Sequence, residues 1–142
     1  MIEISKFKIY LSGKMGGLPY EEYTKWRNEI TILLTKNCKN VQIFDPAQRY
    51  NYEKHAHQTE KEVMRYELRQ VLSSDLVILK LDGANTSVGT MFEVAYAFKN
   101  NIPIIGIAHP DNEIHPWLVE ACDRIETSHD DVVKYIKEYY LK

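Results

Sequence analysis

Two kinds of apolar pattern alternate along this chain. Short runs rich in β-branched and aromatic residues predict strands at residues 7–11, 41–44, 76–79, 102–107 and 124–125. Apolar residues at three- and four-residue spacing predict helices at about residues 20–36, 59–74, 88–100, 117–122 and 130–140. The runs at 76–79 and 102–107 are continuous rather than alternating, which is typical of strands that are buried on both faces.

The regular alternation of strands and helices predicts one parallel sheet with helices on both faces. Right-handed crossovers leave few topologies, and we expect an α/β, flavodoxin-like (Rossmann-like) three-layer fold whose five strands have the order 2-1-3-4-5. The length of 142 residues is close to that of one domain, so residues 1–142 are expected to form a single domain. Ligands of such folds bind at the carboxyl ends of the strands. The loops at residues 12–17, 45–52 and 82–90 should therefore share one rim.

Composition excludes several classes of partner. The chain has 18 basic and 20 acidic residues and a net charge of −2, so a basic surface that binds a nucleic-acid polymer is not expected. No apolar run reaches the roughly 20 residues that span a bilayer, and the N-terminal residues lack the apolar stretch of a signal peptide. Two cysteines are too few for a disulfide framework, which favours a cytoplasmic location. Ten tyrosines suit a small-molecule pocket or a subunit interface.

The predicted helix at residues 88–100 carries one charged side chain, Glu93, between Val88 and Phe98. Most faces of so apolar a helix should be buried, and a lone buried carboxylate is costly unless it has a partner. Burial raises the pKa of such a group, whereas hydrogen bonds to the charged form lower it. Glu93 is therefore either a nucleophile or acid–base group, or a structural carboxylate paired with an arginine or with buried backbone.

Three further features have two interpretations each. Ser87, Gly89 and Thr90 open the helix of Glu93, either as an anion site at a helix N-terminus or as an ordinary N-cap. The loop at residues 12–17 is rich in glycine, but it matches neither the Walker pattern nor Gly-x-Gly-x-x-Gly. Glu67 flanks the apolar stripe of its helix, either pointing toward the strand ends or lying on the surface.

Metal and thiol chemistry find little support in the sequence. His55 and His57 could bind a metal, but no Cys or third His lies at a useful spacing. Cys38 and Cys122 have no partner histidine at a recognisable position. We expect neither a metal nor a cofactor.

Taken together, these residues resemble the nucleoside 2-deoxyribosyltransferase superfamily, which includes the 2′-deoxynucleoside 5′-monophosphate N-hydrolases. The resemblance covers about residues 7–107 and rests on a strand, a carboxylate, a helix and a second strand. These are Ile9-Tyr10-Leu11-Ser12-Gly13, Glu67 eight residues before Asp75, Ser87-x-Gly-Thr-x-x-Glu93-x-Ala-Tyr-Ala, and Pro103-Ile-Ile-Gly-Ile.

The resemblance implies a mechanism and a site. Glu93 would attack C1′ of the sugar and displace the base, and water or a second base would then resolve the glycosyl-enzyme, as in a retaining glycosidase. Tyr10 would hold Glu93 in line, and Glu67 would hold a sugar hydroxyl or assist the leaving base. The expected substrate-binding residues lie on the three loops. They are Ser12, Gly13, Met15, Gly16, Gly17, Asp45, Pro46, Asp82, Ser87, Gly89 and Thr90.

Departures from the transferase pattern favour a nucleotide substrate. Ser87 stands where the transferases usually have an aspartate that binds the sugar 5′-hydroxyl, and Gly16-Gly17 also resembles the monophosphate hydrolases. A neutral hydroxyl at a helix N-terminus accepts a phosphate that an aspartate would repel. We therefore expect a nucleoside 5′-monophosphate N-hydrolase. The alternatives are a true transferase that exchanges bases, a non-catalytic nucleotide sensor, and a flavodoxin-like protein that binds FMN or receives a phosphoryl group.

Two expectations concern partners and the base. The family resemblance implies a homodimer or larger homo-oligomer with sites near the interface, and a small-molecule nucleoside or nucleotide as the ligand. Tyr50 and Tyr52 fall on the predicted rim, where their rings could stack on the base.

Overall fold

The sheet has five parallel strands in the order β2-β1-β3-β4-β5. The protein is described by a computed structural model that covers residues 5–49 and 59–141. The strands are β1 (Phe7–Ser12), β2 (Val41–Phe44), β3 (Leu76–Lys80), β4 (Ile104–Ile107) and β5 (Arg124–Glu126). The predicted fold class and strand order are confirmed.

Helices cover both faces of this sheet. They are α1 (Tyr20–Asn37), α2 (Pro46–Arg49), α3 (Glu60–Leu72), α4 (Val88–Lys99), α5 (Pro116–Ala121) and α6 (His129–Tyr135), with a 3-10 turn at Ala84–Thr86 and a π-helical turn at Ile136–Tyr140. One apolar cluster joins α1 and α6 to the sheet, and a second joins α3, α4 and α5 to its other face.

The central strand β3 shows why the sheet is buried on both sides. Leu76 and Ile78 belong to the cluster beneath α1 and α6, whereas Val77 and Leu79 belong to the cluster beneath α3 and α4. All four side chains are fully buried. This agrees with the continuous apolar run, since successive side chains of a strand point to opposite faces.

Some predicted boundaries are wrong. The fourth strand begins at Ile104 rather than at residue 102; Pro103 has no N–H to give to the ladder, and the N–H of Ile104 donates to Asp123 Oδ2 at 2.8 Å. The segment after the second strand, predicted as a loop, begins with α2. Asp45 caps the N-terminus of α2, because its Oδ1 accepts the N–H of Ala47 at 2.9 Å.

The expectation that most faces of α4 are buried is wrong. Val88 is 73% exposed, Phe92 49% and Phe98 61%. On the neighbouring α3, Met64 and Leu72 are also exposed rather than packed on the sheet. A sheet offers each helix one surface, so only one stripe of α4 packs against it. The exposed apolar side chains named here face outward instead.

No helix in residues 5–49 or 59–141 is long and apolar enough to cross a membrane. Both cysteines, Cys38 and Cys122, are free thiols. Burial raises the pKa of each, that of Cys122 to about 12.

Candidate active site

Glu93 lies on the buried face of α4, against the end of β1. Its side chain accepts two hydrogen bonds: the Tyr10 hydroxyl donates to Oε2, and the Ser12 hydroxyl donates to Oε1 at 2.8 Å. Tyr10 and Ser12 are two residues apart in one strand, so they point to the same face of the sheet. Both are fully buried. The strand therefore fixes both oxygens of the carboxylate.

The surroundings of Glu93 act on its charge in opposite directions. Burial raises the pKa of the carboxyl group, while the hydrogen bonds from Tyr10 and Ser12 and the positive charge of Arg27 lower it. Burial and the nearby carboxylate raise the pKa of Tyr10 well above its usual value. Tyr10 thus keeps its proton and remains a donor to Glu93.

Glu67, on α3, forms the second carboxyl group of the site. Burial first, and then the charge of Glu93, raise the pKa of Glu67 to about 8. Burial raises the pKa of Glu93 as well, but the hydrogen bonds from Tyr10 and Ser12 act on Glu93 and oppose that rise. When the pair carries one proton, this geometry therefore favours the proton on Glu67 and the negative charge on Glu93, the division of roles found in acid–base pairs of many hydrolytic enzymes.

Both carboxyl groups line a cavity of about 260 Å³ at the carboxyl ends of the strands. The loop after β1, α2, α3 and the N-terminal turn of α4 contribute to its wall. Among the predicted site residues, those that line it are Gly13, Met15, Gly16, Pro46, Glu67, Ser87, Gly89, Thr90 and Glu93. The structure thus brings together the three loops that were expected to share a rim.

The N-terminus of α4 forms one side of this cavity. Ser87 is its N-cap, accepting the N–H of Thr90 at 3.4 Å and sharing a 2.8 Å hydrogen bond with the Thr90 hydroxyl. Gly89 faces open space, since a Cβ there would meet no atom within 4 Å. Both interpretations of Ser87 remain compatible with this geometry: it caps the helix, and the helix terminus also presents its partial positive charge to the cavity.

Three predicted binding residues lie beside the cavity rather than in its wall. Ser12 is buried beneath Glu93 and donates to it. Asp45 is buried and pairs with Arg27. Gly17 lies in an exposed turn with a φ of 81°.

Asp82 lies further away. It accepts the N–H of His109 at 3.2 Å and a side-chain hydrogen bond from Asn112, and it lies 3.5 Å from the Lys80 ammonium group. Its described contacts order the loop after β4, and it does not line the cavity of Glu93. Tyr50, Tyr52, His55 and His57 lie outside the described residues. Within the described ranges, no group of three His, Cys, Asp or Glu side chains is arranged to hold a metal ion.

Sequence reasoning missed Arg27, which lines the same cavity. Its side chain is 1% exposed and lies 2.9 Å from Asp45 Oδ1. A signal was available: position 27 lies on the apolar face of α1, four residues after Tyr23 and three before Ile30. A charged residue on the buried stripe of a helix calls for a specific partner. Thr86 and Val88 also line the cavity without having been predicted.

A second cavity of about 230 Å³ adjoins the first and shares Glu67 and Glu93 with it. Its other walls are mostly apolar and come from α3 and α4, including Met64 and Phe92. Both of these side chains are exposed. The carboxyl pair thus lies between a polar cavity and an apolar one.

A model of the nucleoside 2-deoxyribosyltransferase family matches residues 9–130. No curated protein matches the sequence significantly.

Several solved structures share the fold. A conserved protein from Enterococcus faecalis V583 superposes with a TM-score of 0.81 at 18% identity, over 94% of this chain and 99% of the other. The 2-deoxyribosyltransferase of Bacillus psychrosaccharolyticus gives 0.70 at 15% identity, over 90% and 91%. The CMP N-glycosidase BcmB of Clostridium botulinum gives 0.59 at 16% identity, over 93% and 99%. At such identities the likeness establishes the fold.

Proposed function

Because the chain belongs to the nucleoside 2-deoxyribosyltransferase family, we propose that it is an N-hydrolase of nucleoside 5′-monophosphates with Glu93 as its nucleophile. The family and its structural relatives support the broader activity, transfer or hydrolysis at the N-glycosidic bond of a nucleoside or nucleotide. The finer assignment rests on this chain's own residues.

The main support for the proposal is that Glu93 and Glu67 line the same cavity. Glu93 Oε1 and Oε2 are held by two hydroxyl donors, and Glu67 lines the same cavity with a pKa raised to about 8. A fixed carboxylate next to a protonated carboxylic acid is the arrangement that a retaining glycosidic displacement requires.

The reaction proceeds in two displacements. Glu93 attacks C1′ while the bond from C1′ to the base nitrogen breaks, and the proton of Glu67 neutralises the departing base. The intermediate is a glycosyl ester of Glu93. Water then attacks C1′, Glu67 takes up the water proton, and the ester oxygen leaves as the Glu93 carboxylate. Tyr10 and Ser12 hold the carboxylate in line throughout.

The first turn of α4 is the proposed site of the 5′-phosphate. Ser87, Gly89 and Thr90 line the cavity less than two helical turns before Glu93, and Ser87 adds no negative charge. Gly13 and Gly16 also line the cavity, where their small size lets backbone approach a ligand closely. Nothing in this arrangement requires a metal or a cofactor.

The decisive experiment is a substrate panel. The protein is incubated with each deoxynucleotide, ribonucleotide and deoxynucleoside, and free base is measured by chromatography. We expect base release from nucleoside 5′-monophosphates, and its loss in Glu93→Ala with the fold retained by circular dichroism. Full activity of Glu93→Ala would refute the nucleophile, and equal rates with and without the phosphate would refute the phosphate site.

Two further outcomes identify the alternative functions. A new nucleoside formed after addition of a free acceptor base would identify a transferase, which the match to a 2-deoxyribosyltransferase structure supports as the second candidate. Thermal stabilisation by nucleotides without any base release would identify a binding protein.

We also propose a homodimer or larger homo-oligomer, in the cytoplasm, built from one domain spanning residues 1–142. Val88, Phe92 and Phe98 are exposed apolar side chains of α4, and the first two line the second cavity. Together they offer a surface suited to a second copy of this chain. Sedimentation equilibrium should show an oligomer, and Phe98→Asp should shift it toward monomer. A monomeric wild-type protein at micromolar concentration would contradict this.

A further inference from the structure

Arg27 is buried more completely than a folded chain normally allows for a guanidinium group. It is 1% exposed, and its Nε has no hydrogen-bond partner among residues 5–49 and 59–141. Removing a guanidinium from water is expensive unless its contacts compensate. Arg27 belongs to α1, which packs on the face of the sheet opposite to α4. The Arg27 side chain therefore reaches the cavity around the end of the sheet.

The terminal nitrogens of Arg27 donate three hydrogen bonds to two pieces of chain, residues 11–13 and Asp45. Nη1 donates to the Leu11 carbonyl at 3.1 Å and to Asp45 Oδ1 at 2.9 Å, and Nη2 donates to the Gly13 carbonyl at 2.9 Å. Leu11 and Gly13 flank Ser12, which donates to Glu93. The guanidinium therefore fixes the backbone on both sides of a residue that holds the nucleophile.

Packing reinforces this position. The Arg27 guanidinium carbon lies 4.8 Å from the centroid of the Trp26 ring. A Cβ added at Gly13 would come within 2.8 Å of Trp26 Cζ2 and 3.0 Å of Lys80 Cβ. The loop after β1 is thus clamped between an aromatic ring and a guanidinium that donates to its carbonyl.

The polar and charged groups around Glu93 come from several elements. Tyr10 and Ser12 face it from β1, Glu67 from α3, and Arg27 from α1, with Asp45 behind Arg27 at the end of β2. Among these groups Arg27 is the cation. Its charge lowers the pKa values of Glu93, Glu67 and Tyr10, against the effect of burial.

We propose that Arg27 is a positioning residue for the Glu93 centre, which holds the backbone around Ser12 and supplies a fixed positive charge in the wall of the cavity. Asp45 sets the strength of that charge by partial neutralisation. The role in turnover rests on the proposed function. The effect on the Glu93 carboxylate does not, and it can be measured without substrate.

The test uses two substitutions with opposite expected signs. Arg27→Met removes the cation at similar volume and should move the titration of Glu93 to higher pH by about one unit or more. Asp45→Asn removes the counter-charge and keeps an oxygen for the Ala47 N–H, so the titration should move to lower pH. Arg27→Lys keeps the charge but not the three-way hydrogen bonding, and it should raise KM with a smaller shift in pH dependence. Arg124→Met, on the exposed pair with Glu126 at the sheet edge, is the control and should change nothing.

Two readouts are needed. The first is ¹³C NMR of protein labelled at the glutamate carboxyl carbons, with the Glu93 resonance identified by its loss in Glu93→Gln. The second is the low-pH limb of kcat/KM for base release. Opposite shifts of the Glu93 resonance in Arg27→Met and Asp45→Asn would support the proposal.

An unchanged resonance in both variants, or shifts in the same direction, would overturn it. If Arg27→Met does not fold, Asp45→Asn alone decides: a downward shift supports the proposal and no shift refutes it. A wild-type protein that releases no base would sink the proposed function while the NMR titration still reports on Arg27. The two failures are therefore distinguishable.

Discussion

Ser87→Asp tests whether the cavity selects a phosphorylated substrate. Aspartate is as good an N-cap as serine. Its carboxylate can accept the N–H and the hydroxyl of Thr90, which lie 3.4 and 2.8 Å from Ser87 Oγ. The start of α4 should therefore survive, and with it the position of Glu93 less than two turns further along. The substitution changes one property of the cavity, its charge at the helix N-terminus.

The expected size of the effect follows from that geometry. A phosphate that binds to the first turn of α4 would lie roughly 5 Å from the new carboxylate. At an effective dielectric constant of about 20, two unit charges at this distance repel by about 3 kcal/mol. That corresponds to a loss of roughly a hundredfold in kcat/KM. A deoxynucleoside, which carries no phosphate, should lose less than about threefold.

The assay compares kcat/KM for one deoxynucleotide and for its deoxynucleoside, in wild type and in Ser87→Asp. Ser128→Asp is the matched control, since Ser128 caps α6 and accepts the N–H of Asp131 at 3.1 Å, away from the cavity. The control should leave both rates unchanged. Equal losses for both substrates in Ser87→Asp, or no loss for either, would refute the phosphate site.

Three further substitutions test the pH dependence, the turnover and the stability. Tyr10→Phe removes a hydrogen bond that lowers the pKa of Glu93, so the low-pH limb of kcat/KM should rise by about one unit; an unmoved limb would contradict this. Glu67 donates its proton only below a pKa of about 8, so Glu67→Gln should abolish the high-pH limb and cut kcat by about a hundredfold or more. Between its ordinary pKa of 4.5 and the raised value of about 8, Glu67 is ionised in the unfolded chain but protonated in the folded protein. The stability of wild type should therefore fall as pH rises through this range, whereas the thermal midpoint of Glu67→Gln should change less. Gly106→Ala places a Cβ 2.9 Å from Cys122 Sγ and should cost about 1–3 kcal/mol of stability by denaturant unfolding, with activity per folded molecule unchanged.

The sheet could be predicted from sequence because its signals are local and redundant. The continuous apolar run of β3 and the helical spacing around it admit few alternatives once crossovers are right-handed. Glu93 also stood out, as the single charged residue between Val88 and Phe98. Ser12 was expected to bind substrate. Which side chains point at Glu93 depends on strand register, which brings Tyr10 opposite Val77 and places β1 beneath α4.

The Arg27–Asp45 pair and the exposed face of α4 could not be predicted, because both depend on contacts between distant segments. Arg27 and Asp45 are 18 residues apart, and neither signals the other in the sequence. The apolar composition of α4 predicted burial on most faces, but the sheet covers one stripe and leaves Val88, Phe92 and Phe98 outside. Composition reports how much apolar surface a helix carries. It does not report whether the same chain covers that surface.

If Glu93 forms a covalent glycosyl ester, the stereochemistry of solvolysis will show it. In dilute methanol, an enzyme that cleaves a β-nucleotide produces a methyl glycoside whose anomeric configuration is stable and readable by NMR. Two displacements at C1′, the first by Glu93, retain the β configuration. A β-methyl glycoside that is absent in Glu93→Gln is the predicted result. An α-methyl glycoside, the product of a single direct displacement, would mean that no glycosyl ester of Glu93 forms.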